Sequence, residues 1–333
     1  MALILAIESS CDDTSAAICR DGEILTNLVA NQKVHENFGG VVPELASRAH
    51  QANIVPVVSE AIRLSGIHKN DIDAIAFTQG PGLMGSLLVG ISFAKGFALA
   101  NNLPLIAVNH MQAHVAANYI ENKNLVFPFI CLTVSGGHTQ LVYVTDYLKM
   151  EIIGNTIDDA AGEAFDKAAK MFGLPYPGGP LVDKLAKEGN ATAFKFNKPK
   201  LADLNYSFSG LKTSILYFLQ KETAKNPAFI QEHLSDLCAS VQTHIIDILI
   251  DKLEKALTLY PAKAIAIAGG VSANSGLRQK ITQFGADKNL PVFIPAFQYC
   301  TDNAGMIGIV GHYKYLEGDF CDQNTLPLAR FAF

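Results

Sequence analysis

The chain repeats one α/β unit twice, and this duplication constrains its fold more than any other feature. Each half opens with two short apolar strands joined by a small, hydroxyl-rich turn, at residues 8–14 in the first half and 135–139 in the second. Residues 73–80 match residues 263–270, because each segment is a short buried strand that ends in glycine before a helix. Strands that alternate with helices predict parallel or mixed sheets covered by helices.

The length and composition indicate a protein that is folded throughout and has two domains. The 333 residues are 49% hydrophobic and 17% charged, and no low-complexity tract interrupts them. A net charge of -5 argues against a wholly basic nucleic-acid module, so an RNA partner would meet a local patch or another subunit. The six cysteines are scattered without a CxxC pair, which indicates a reducing, cytoplasmic location.

One apolar stretch, residues 83–100, raises the question of a membrane span. It contains Lys95 and three glycines, and it is barely long enough to cross a bilayer. We therefore predict a buried helix under a sheet and no membrane contact.

Four glycine-rich turns are candidates for phosphate binding, because glycine lets the backbone approach a phosphate closely. They lie at residues 80–82, 135–137, 178–179 and 269–270. Any one of them alone is more often a plain connection between a strand and a helix. Four together favour a nucleotide site, and neither a GxxxxGK(S/T) phosphate loop nor a strict GxGxxG motif is present. Among nucleotide-binding folds, this combination favours the duplicated lobes found in actin, sugar kinases and heat-shock ATPases.

We therefore predict an α/β fold of two duplicated actin-like ATPase (ribonuclease-H-like) lobes with a ligand cleft between them. Residues 1–125 would form the first lobe, and residues 303–333 would pack back on it. Residues 126–302 would form the second lobe. Residues 187–222 fit neither copy and are predicted to be an insertion.

A pair of histidines is the strongest candidate for metal binding. His110 and His114 are four residues apart on a predicted helix, so both imidazoles lie on one face. Ordinary surface or capping histidines are the alternative. The repeat alignment suggests Asp302 as a carboxylate ligand, and a His-His-Asp set suits iron or zinc with open positions. Met111 stands where the H-E-x-x-H motif has glutamate, which disfavours a metalloprotease.

Carboxylates in the second half are candidates for binding a ligand's hydroxyl or amine groups. Glu163, Asp166 and Lys167 lie near one face at the start of a predicted helix, and Asp183 lies on the next helix. Such charges usually form a solvated face. The flanking residues are nearly all small or apolar, so a buried carboxylate that accepts hydrogen bonds from a ligand is an equal alternative.

The predicted insertion mixes basic and aromatic residues, namely Lys195, Lys198, Lys200 and Lys212 with Phe194, Phe196, Tyr206 and Phe208. This mixture suits a nucleic-acid backbone and stacked bases. A solvated loop over a small satellite core is the alternative, and both interpretations stay open.

Many ordered segments of the chain resemble the universal tRNA adenosine threonylcarbamoyltransferase family, once labelled glycoproteases. The resemblance spans essentially the whole chain, and the segments are residues 6–14, 110–114, 134–140, 161–167, 176–179, 208–213, 269–274 and 300–303. Two small departures do not remove a metal ligand. Gln112 and Ala113 stand where relatives usually have Glu-Gly, and Thr133 replaces a common leucine.

The resemblance implies a metal-dependent acyltransferase. Its relatives transfer the threonylcarbamoyl group from threonylcarbamoyl-adenylate to the exocyclic amine of the adenosine 3′ of the anticodon, in tRNAs that read codons starting with adenine. His110, His114 and Asp302 would hold one divalent ion, with Fe²⁺ favoured and zinc also suitable. The residues that would bind the adenylate are Thr133, Val134, Ser135, Gly136, Gly137, Asp166, Gly179, Asp183 and Asn274.

The resemblance also implies partners, because bacterial relatives work with a catalytically inactive paralogue and a small ATPase. We expect a hetero-complex that acts on tRNA.

Two other functions are alternatives to threonylcarbamoyl transfer. The first is an ATP-dependent small-molecule kinase or carbamoyltransferase on the same fold. The second is a non-catalytic scaffold, which the retained His110, His114 and Asp302 disfavour.

Overall fold

The structure, a computed structural model, describes residues 2–122, 124–198 and 201–331. The chain divides into two compact units. The first comprises Met1–Leu125, Asp146–Met150 and Pro295–Phe333, and the second comprises Val126–Thr145 and Glu151–Ile294. Residues 295–302, which the sequence analysis assigned to the second lobe, therefore group with the first unit.

Strands and helices alternate along much of the chain. The strands are β1 (Leu3–Glu8), β2 (Thr14–Arg20), β3 (Glu23–Ala30), β4 (Ala74–Gly80), β5 (Leu105–Asn109), β6 (Phe129–Val134), β7 (Thr139–Val144), β8 (Met150–Asn155), β9 (Ala264–Ala268) and β10 (Val292–Phe293). The α-helices are α1 (Pro43–Ser65), α2 (Met84–Asn101), α3 (His110–Ala116), α4 (Ala161–Met171), α5 (Gly178–Ala186), α6 (Ser209–Thr223), α7 (Phe229–Glu232), α8 (Leu234–Leu259), α9 (Ser275–Lys288) and α10 (Ala304–Glu317).

The first unit has a five-stranded sheet in the order β3-β2-β1-β4-β5, with β1 antiparallel to β2 and parallel to β4. Side chains of β1 alternate between the two faces of the sheet. Leu5 and Ile7 pack with apolar residues of α1 and α2. Ile4 lies against α10 at Gly311, where a Cβ would come within 2.6 Å of the Ala76 side chain. Helix α10 therefore packs closely on the face opposite α1 and α2.

The second unit repeats this topology. Its five strands have the order β10-β9-β6-β7-β8, with β6 antiparallel to β7 and parallel to β9. Read from β8, the strand order and the directions of the three central strands match those of the first sheet. The core of this unit combines β6, β7 and β9 with the apolar faces of α4, α8 and α9. The duplicated α/β fold predicted from the sequence is confirmed.

The aromatic residues of the predicted insertion are part of the second unit's core. Phe196, Tyr206 and Phe208 are buried, and the half-buried Phe194 packs against the same cluster. Lys198 pairs with Asp251 at 2.8 Å, and Lys200 lies outside the described residues. Of the two interpretations left open above, the burial supports the satellite core rather than base stacking for these aromatic residues.

Helix α2 contains the apolar stretch that raised the question of a membrane span. Among the residues that the structure describes, it is the one helix long and apolar enough to cross a membrane. Leu87, Ile91 and Ala94 are buried on the side that packs on the sheet and α1, whereas Leu88 is 47% and Leu99 75% exposed. The predicted buried helix is thus buried on one face only.

Candidate functional site

The two predicted metal-binding histidines lie on α3, which begins directly after strand β5. The Asn109 side chain accepts hydrogen bonds from the backbone N–H groups of Met111 and Gln112, at 2.8 and 3.2 Å, and so caps the helix. His110 and His114 are therefore one helical turn apart on one face, and both are buried. Their ring centroids are 4.6 Å apart.

Asp302 completes this group from the loop that precedes α10. Its Oδ1 lies 3.2 Å from Nε2 of His114 and 3.5 Å from Nε2 of His110. One ligand atom from each of the three side chains lies within 4.8 Å of the others. The repeat pattern in the sequence assigned this carboxylate to the second lobe, whereas Asp302 groups with the first unit in the structure. All three residues therefore come from one compact unit.

The charges of this group are mutually stabilising. Burial by itself would raise the pKa of Asp302, but the charges and hydrogen bonds of His110 and His114 hold it well below its usual range. Burial would likewise lower the pKa of His110, yet Glu8 and Asp302 raise it well above its usual value.

Glu8 also belongs to this group, although the sequence patterns did not predict it as a site residue. It is the last residue of β1 and is fully buried. Its Oε2 lies 3.0 Å from Nδ1 of His110. Thr78 Oγ1 donates to the same oxygen, and the backbone N–H of Ser10 donates to Oε1. A carboxylate at the end of an otherwise apolar strand was the available signal, because such a residue is seldom fully buried without partners.

Asp13 lies close enough to this group to be affected by its charges. Burial, the largest cause, and the neighbouring Asp12 raise the pKa of Asp13 from 3.8 to about 7, although a hydrogen bond from Asn31 opposes the shift. Smaller contributions come from Asp302 and Glu8. The folded protein therefore holds a proton on Asp13 at pH values where the unfolded chain does not.

This shift predicts a pH-dependent loss of stability. Because the folded pKa of about 7 exceeds the unfolded value, the contribution of Asp13 is present below pH ~4 and lost as the pH rises towards ~7. Asp13→Asn keeps the acceptor for Asn31 and removes the titration. In metal-free protein, the melting temperature of Asp13→Asn relative to wild type should therefore be higher at pH 8 than at pH 5. An equal difference at both pH values would contradict the prediction.

The residues predicted to bind an adenylate all lie in the second unit, around the end of β6. Thr133 and Val134 end this strand, and Ser135 closes the following turn through two hydrogen bonds with His138. A Cβ added at Gly136 or Gly137 would meet no atom within 4 Å. The backbone of these two glycines is therefore open to a ligand.

Two further polar groups lie at helix starts of the same unit. Asp166 Oδ1 accepts hydrogen bonds from the N–H groups of Gly178 and Gly179, at 2.8 and 3.2 Å, where α5 begins. Burial raises the pKa of Asp166 despite these two bonds, which lower it. Asp183 Oδ1 accepts from the backbone N–H and the hydroxyl of Ser275, where α9 begins.

Asn274 lies at the start of α9 and contacts a residue that lines a neighbouring cavity. Its Oδ1 caps α9 by accepting from Leu277 N, and its Nδ2 donates to Gln242 Oε1 at 2.7 Å. Gln242 and Ser275 line a cavity of about 400 Å³, a volume within the range of small-ligand sites. The turn of Gly136 packs against the start of α4, since a Cβ at Gly162 would lie 2.8 Å from Gly136 Cα. The predicted residues thus belong to one unit, where they lie on β6 and the turn after it, on α4 and α5, and at the start of α9.

Comparison with known proteins identifies one family. The family model described as TsaD, tRNA N6-adenosine threonylcarbamoyltransferase, matches residues 23–309. The tRNA N6-adenosine threonylcarbamoyltransferase of Christiangramia forsetii is 60% identical over 99% of this chain and 98% of its own length. The protein of the same name from Cytophaga hutchinsonii is 56% identical over 98% of this chain and 95% of its own length.

Solved structures of more distant proteins share the fold. HypF from T. kodakarensis superposes with a TM-score of 0.64 at 16% identity, over 98% of this chain and 49% of that one. A ROK family glucokinase from Streptomyces griseus, solved with glucose and AMPPNP, has a TM-score of 0.51 at 14% identity, over 93% of this chain and 98% of that one. The likeness to a sugar kinase agrees with the fold class predicted from the sequence.

Proposed function

Because the chain belongs to the tRNA N6-adenosine threonylcarbamoyltransferase family, we propose that it transfers a threonylcarbamoyl group to the exocyclic amine of an adenosine in tRNA. The observation that carries this proposal is the 60% identity to a named transferase over 99% of the chain. The donor is threonylcarbamoyl-adenylate, and the acceptor is the adenosine 3′ of the anticodon in tRNAs that read codons starting with adenine. The enzyme works in the cytoplasm.

The first unit is proposed to hold one divalent ion, with Fe²⁺ favoured over zinc. Two imidazole nitrogens and one carboxylate oxygen converge, from the buried His110 and His114 and the half-buried Asp302. This donor set fits either ion, and three protein ligands leave coordination positions open. A bound ion would supply Lewis-acid stabilisation of negative charge on an oxygen.

The second unit is proposed to bind the adenylate. Gly136 and Gly137 have open space where a side chain would project, and Gly179 lies in the first turn of α5, where its N–H and that of Gly178 bind Asp166. Asp166, Asp183 and Asn274 are positioned by hydrogen bonds within the unit and offer remaining acceptor or donor positions to the adenosine. Thr133 and Val134 at the end of β6, together with Ser135, fix the position of the turn that contains Gly136 and Gly137.

The chemistry requires orientation more than a protein nucleophile. The weakly nucleophilic amine nitrogen of the adenosine attacks the carbonyl carbon of the threonylcarbamoyl group. The bond from that carbon to the phosphate oxygen of the adenylate breaks, AMP leaves, and the amine loses a proton. Two effects can supply most of the rate enhancement: holding the amine close to the carbonyl carbon in the correct orientation, and stabilising the developing oxyanion with fixed N–H groups. The backbone N–H groups of Gly136 and Gly137, which lie in a turn with open space where side chains would project, are proposed for this role.

Activity is further proposed to require a hetero-complex with an inactive paralogue and a small ATPase. The net charge of -5 supports a need for help in capturing tRNA. The paired helices α1 and α2 also expose large apolar side chains, with Val55 at 56%, Met84 at 45% and Leu88 at 47% exposure. Exposed apolar residues on neighbouring helices are typical of a protein interface.

Reconstitution tests this proposal directly. The purified chain, the partner proteins, threonine, bicarbonate, ATP and unmodified tRNA should together produce threonylcarbamoyladenosine, measured by mass spectrometry of the tRNA nucleosides. Absence of this nucleoside, with ATP consumed on a small molecule, would favour the kinase alternative. The scaffold alternative would be supported by undiminished product with His110→Ala.

A further inference from the structure

Glu8 lies directly behind one of the candidate metal ligands. Its Oε2 is 3.0 Å from Nδ1 of His110, while Nε2 of the same ring lies 3.5 Å from Asp302. The carboxylate is held from both ends, because Ser10 N donates to Oε1 and Thr78 Oγ1 to Oε2. Glu8 is fully buried, so these protein groups supply its hydrogen bonds. Its orientation is therefore set by the fold before any metal arrives.

This contact determines which nitrogen of His110 keeps its proton. Nδ1 of His110 lies 3.0 Å from Glu8 Oε2 and 3.2 Å from the Ser10 hydroxyl oxygen. An ionised carboxylate only accepts hydrogen bonds, so Nδ1 donates to the nearer Glu8, and the Ser10 hydroxyl can be a second acceptor for the same proton. The lone pair available to a metal is then on Nε2, the nitrogen next to Asp302. A carboxylate behind a histidine ligand also makes the imidazole a better electron donor.

The second histidine lacks this support. Nδ1 of His114 is buried and has no hydrogen-bond partner among the residues that the structure describes. The two imidazoles are therefore unequal, although both belong to the same helix face. Glu8 acts on His110 alone.

We infer that Glu8 is a positioning residue that sets the tautomer and ring orientation of His110 for binding a divalent ion through Nε2. The inference rests on the proposed metal site. The hydrogen bond from Ser10 N to Glu8 is enough to close the turn after β1. The inference assigns Glu8 a second role, in the affinity of the site for a metal.

Glu8→Gln is the sharpest test, because the amide keeps the shape and removes the charge. If the amide oxygen stays near His110, its NH₂ group faces the Ser10 N–H, and two donors oppose each other. If the amide turns, its NH₂ group faces Nδ1 of His110 and favours the tautomer with a proton on Nε2. Either way, the Co²⁺ affinity of the purified chain should fall about 10–100-fold, measured by titration of the visible d–d absorption.

A matched control removes a buried hydrogen bond of the same turn without touching the carboxylate. Ser9 Oγ donates to the backbone oxygen of Ser86 at 3.0 Å, and Ser9→Ala should leave the Co²⁺ affinity and spectrum unchanged. A loss of affinity with Ser9→Ala as large as with Glu8→Gln would assign the effect to general damage of the turn and overturn the inference.

A double-mutant cycle identifies the residue through which Glu8 acts. In a His110→Ala background, Glu8→Gln should weaken Co²⁺ binding little further, because the ligand that it positions is gone. Additive losses would overturn the inference. If wild type binds no Co²⁺, the proposed metal site itself is wrong; if wild type and Glu8→Gln bind equally, only the role of Glu8 is wrong.

A measurement on the wild-type chain does not depend on how the variant folds. With ¹⁵N-labelled histidine and Zn²⁺ bound, NMR should find His110 protonated at Nδ1 and metal-bound at Nε2. A metal-bound Nδ1 would overturn the inference.

Discussion

Asp302→Ala should leave the protein folded and nearly free of metal, with threonylcarbamoyl transfer reduced more than about 100-fold. Mutation of a residue that only hydrogen-bonds to a metal ligand already costs about 10–100-fold in metal affinity or activity. Asp302 is a candidate ligand itself, so its loss should cost more. Its Oδ1 is the atom towards which both imidazoles point. The measurements are metal content by elemental analysis and threonylcarbamoyladenosine formation with the partner proteins.

Asp319→Ala is the matched control for this prediction. Asp319 is an exposed carboxylate just beyond α10 that pairs with Lys314 at 2.9 Å. An exposed pair of this kind contributes little to stability, so metal content and activity should stay at the wild-type level. His114→Ala should reproduce the loss seen with Asp302→Ala. Full metal content in Asp302→Ala would show that the ion binds elsewhere.

Gly269→Ala should destabilise the protein by about 3 kcal/mol or more, or prevent its accumulation in soluble form. Gly269 has φ 83° and ψ 167°, a backbone conformation that is essentially restricted to glycine. A Cβ at this position would also lie 2.5 Å from the carbonyl oxygen of Val134. Val134 ends β6 and Gly269 directly follows β9, and these two strands are hydrogen-bonded neighbours in the sheet. The backbone at Gly269 therefore cannot move away from Val134 without breaking the pairing of β6 with β9. Urea denaturation followed by circular dichroism measures the change.

Gly136→Ala is the contrasting variant in the same region. A Cβ there meets no atom within 4 Å, so the free energy of unfolding should change by only about 0.5 kcal/mol. The added methyl group would project into the space proposed for the adenylate. Binding of a non-hydrolysable adenylate analogue, measured by calorimetry, should therefore weaken. Unchanged binding with Gly136→Ala would place the adenylate elsewhere, and a stable Gly269→Ala would contradict the steric argument.

The sequence by itself determined the duplicated architecture and the pair of histidines. Both depend on local periodicity, because side chains alternate along a strand and return every 3.6 residues on a helix. The repeated pattern of apolar strands therefore predicted two similar α/β lobes, and the structure shows that their two sheets share one strand order. The four-residue spacing of His110 and His114 predicted two imidazoles on one helix face, as observed.

The repeat alignment already suggested that Asp302 joins this pair, whereas the tertiary structure alone decided the compact unit to which Asp302 belongs and the contact of Glu8 with His110. Asp302 groups with the first unit because α10, which follows it, packs across β1 and β2. Glu8 contacts His110, which lies 102 residues away, because β1 and β5 flank β4 in one parallel set. The aromatic residues 196, 206 and 208 became core rather than surface. Such contacts depend on how elements far apart in the chain pack together, and local periodicity contains no information about that packing.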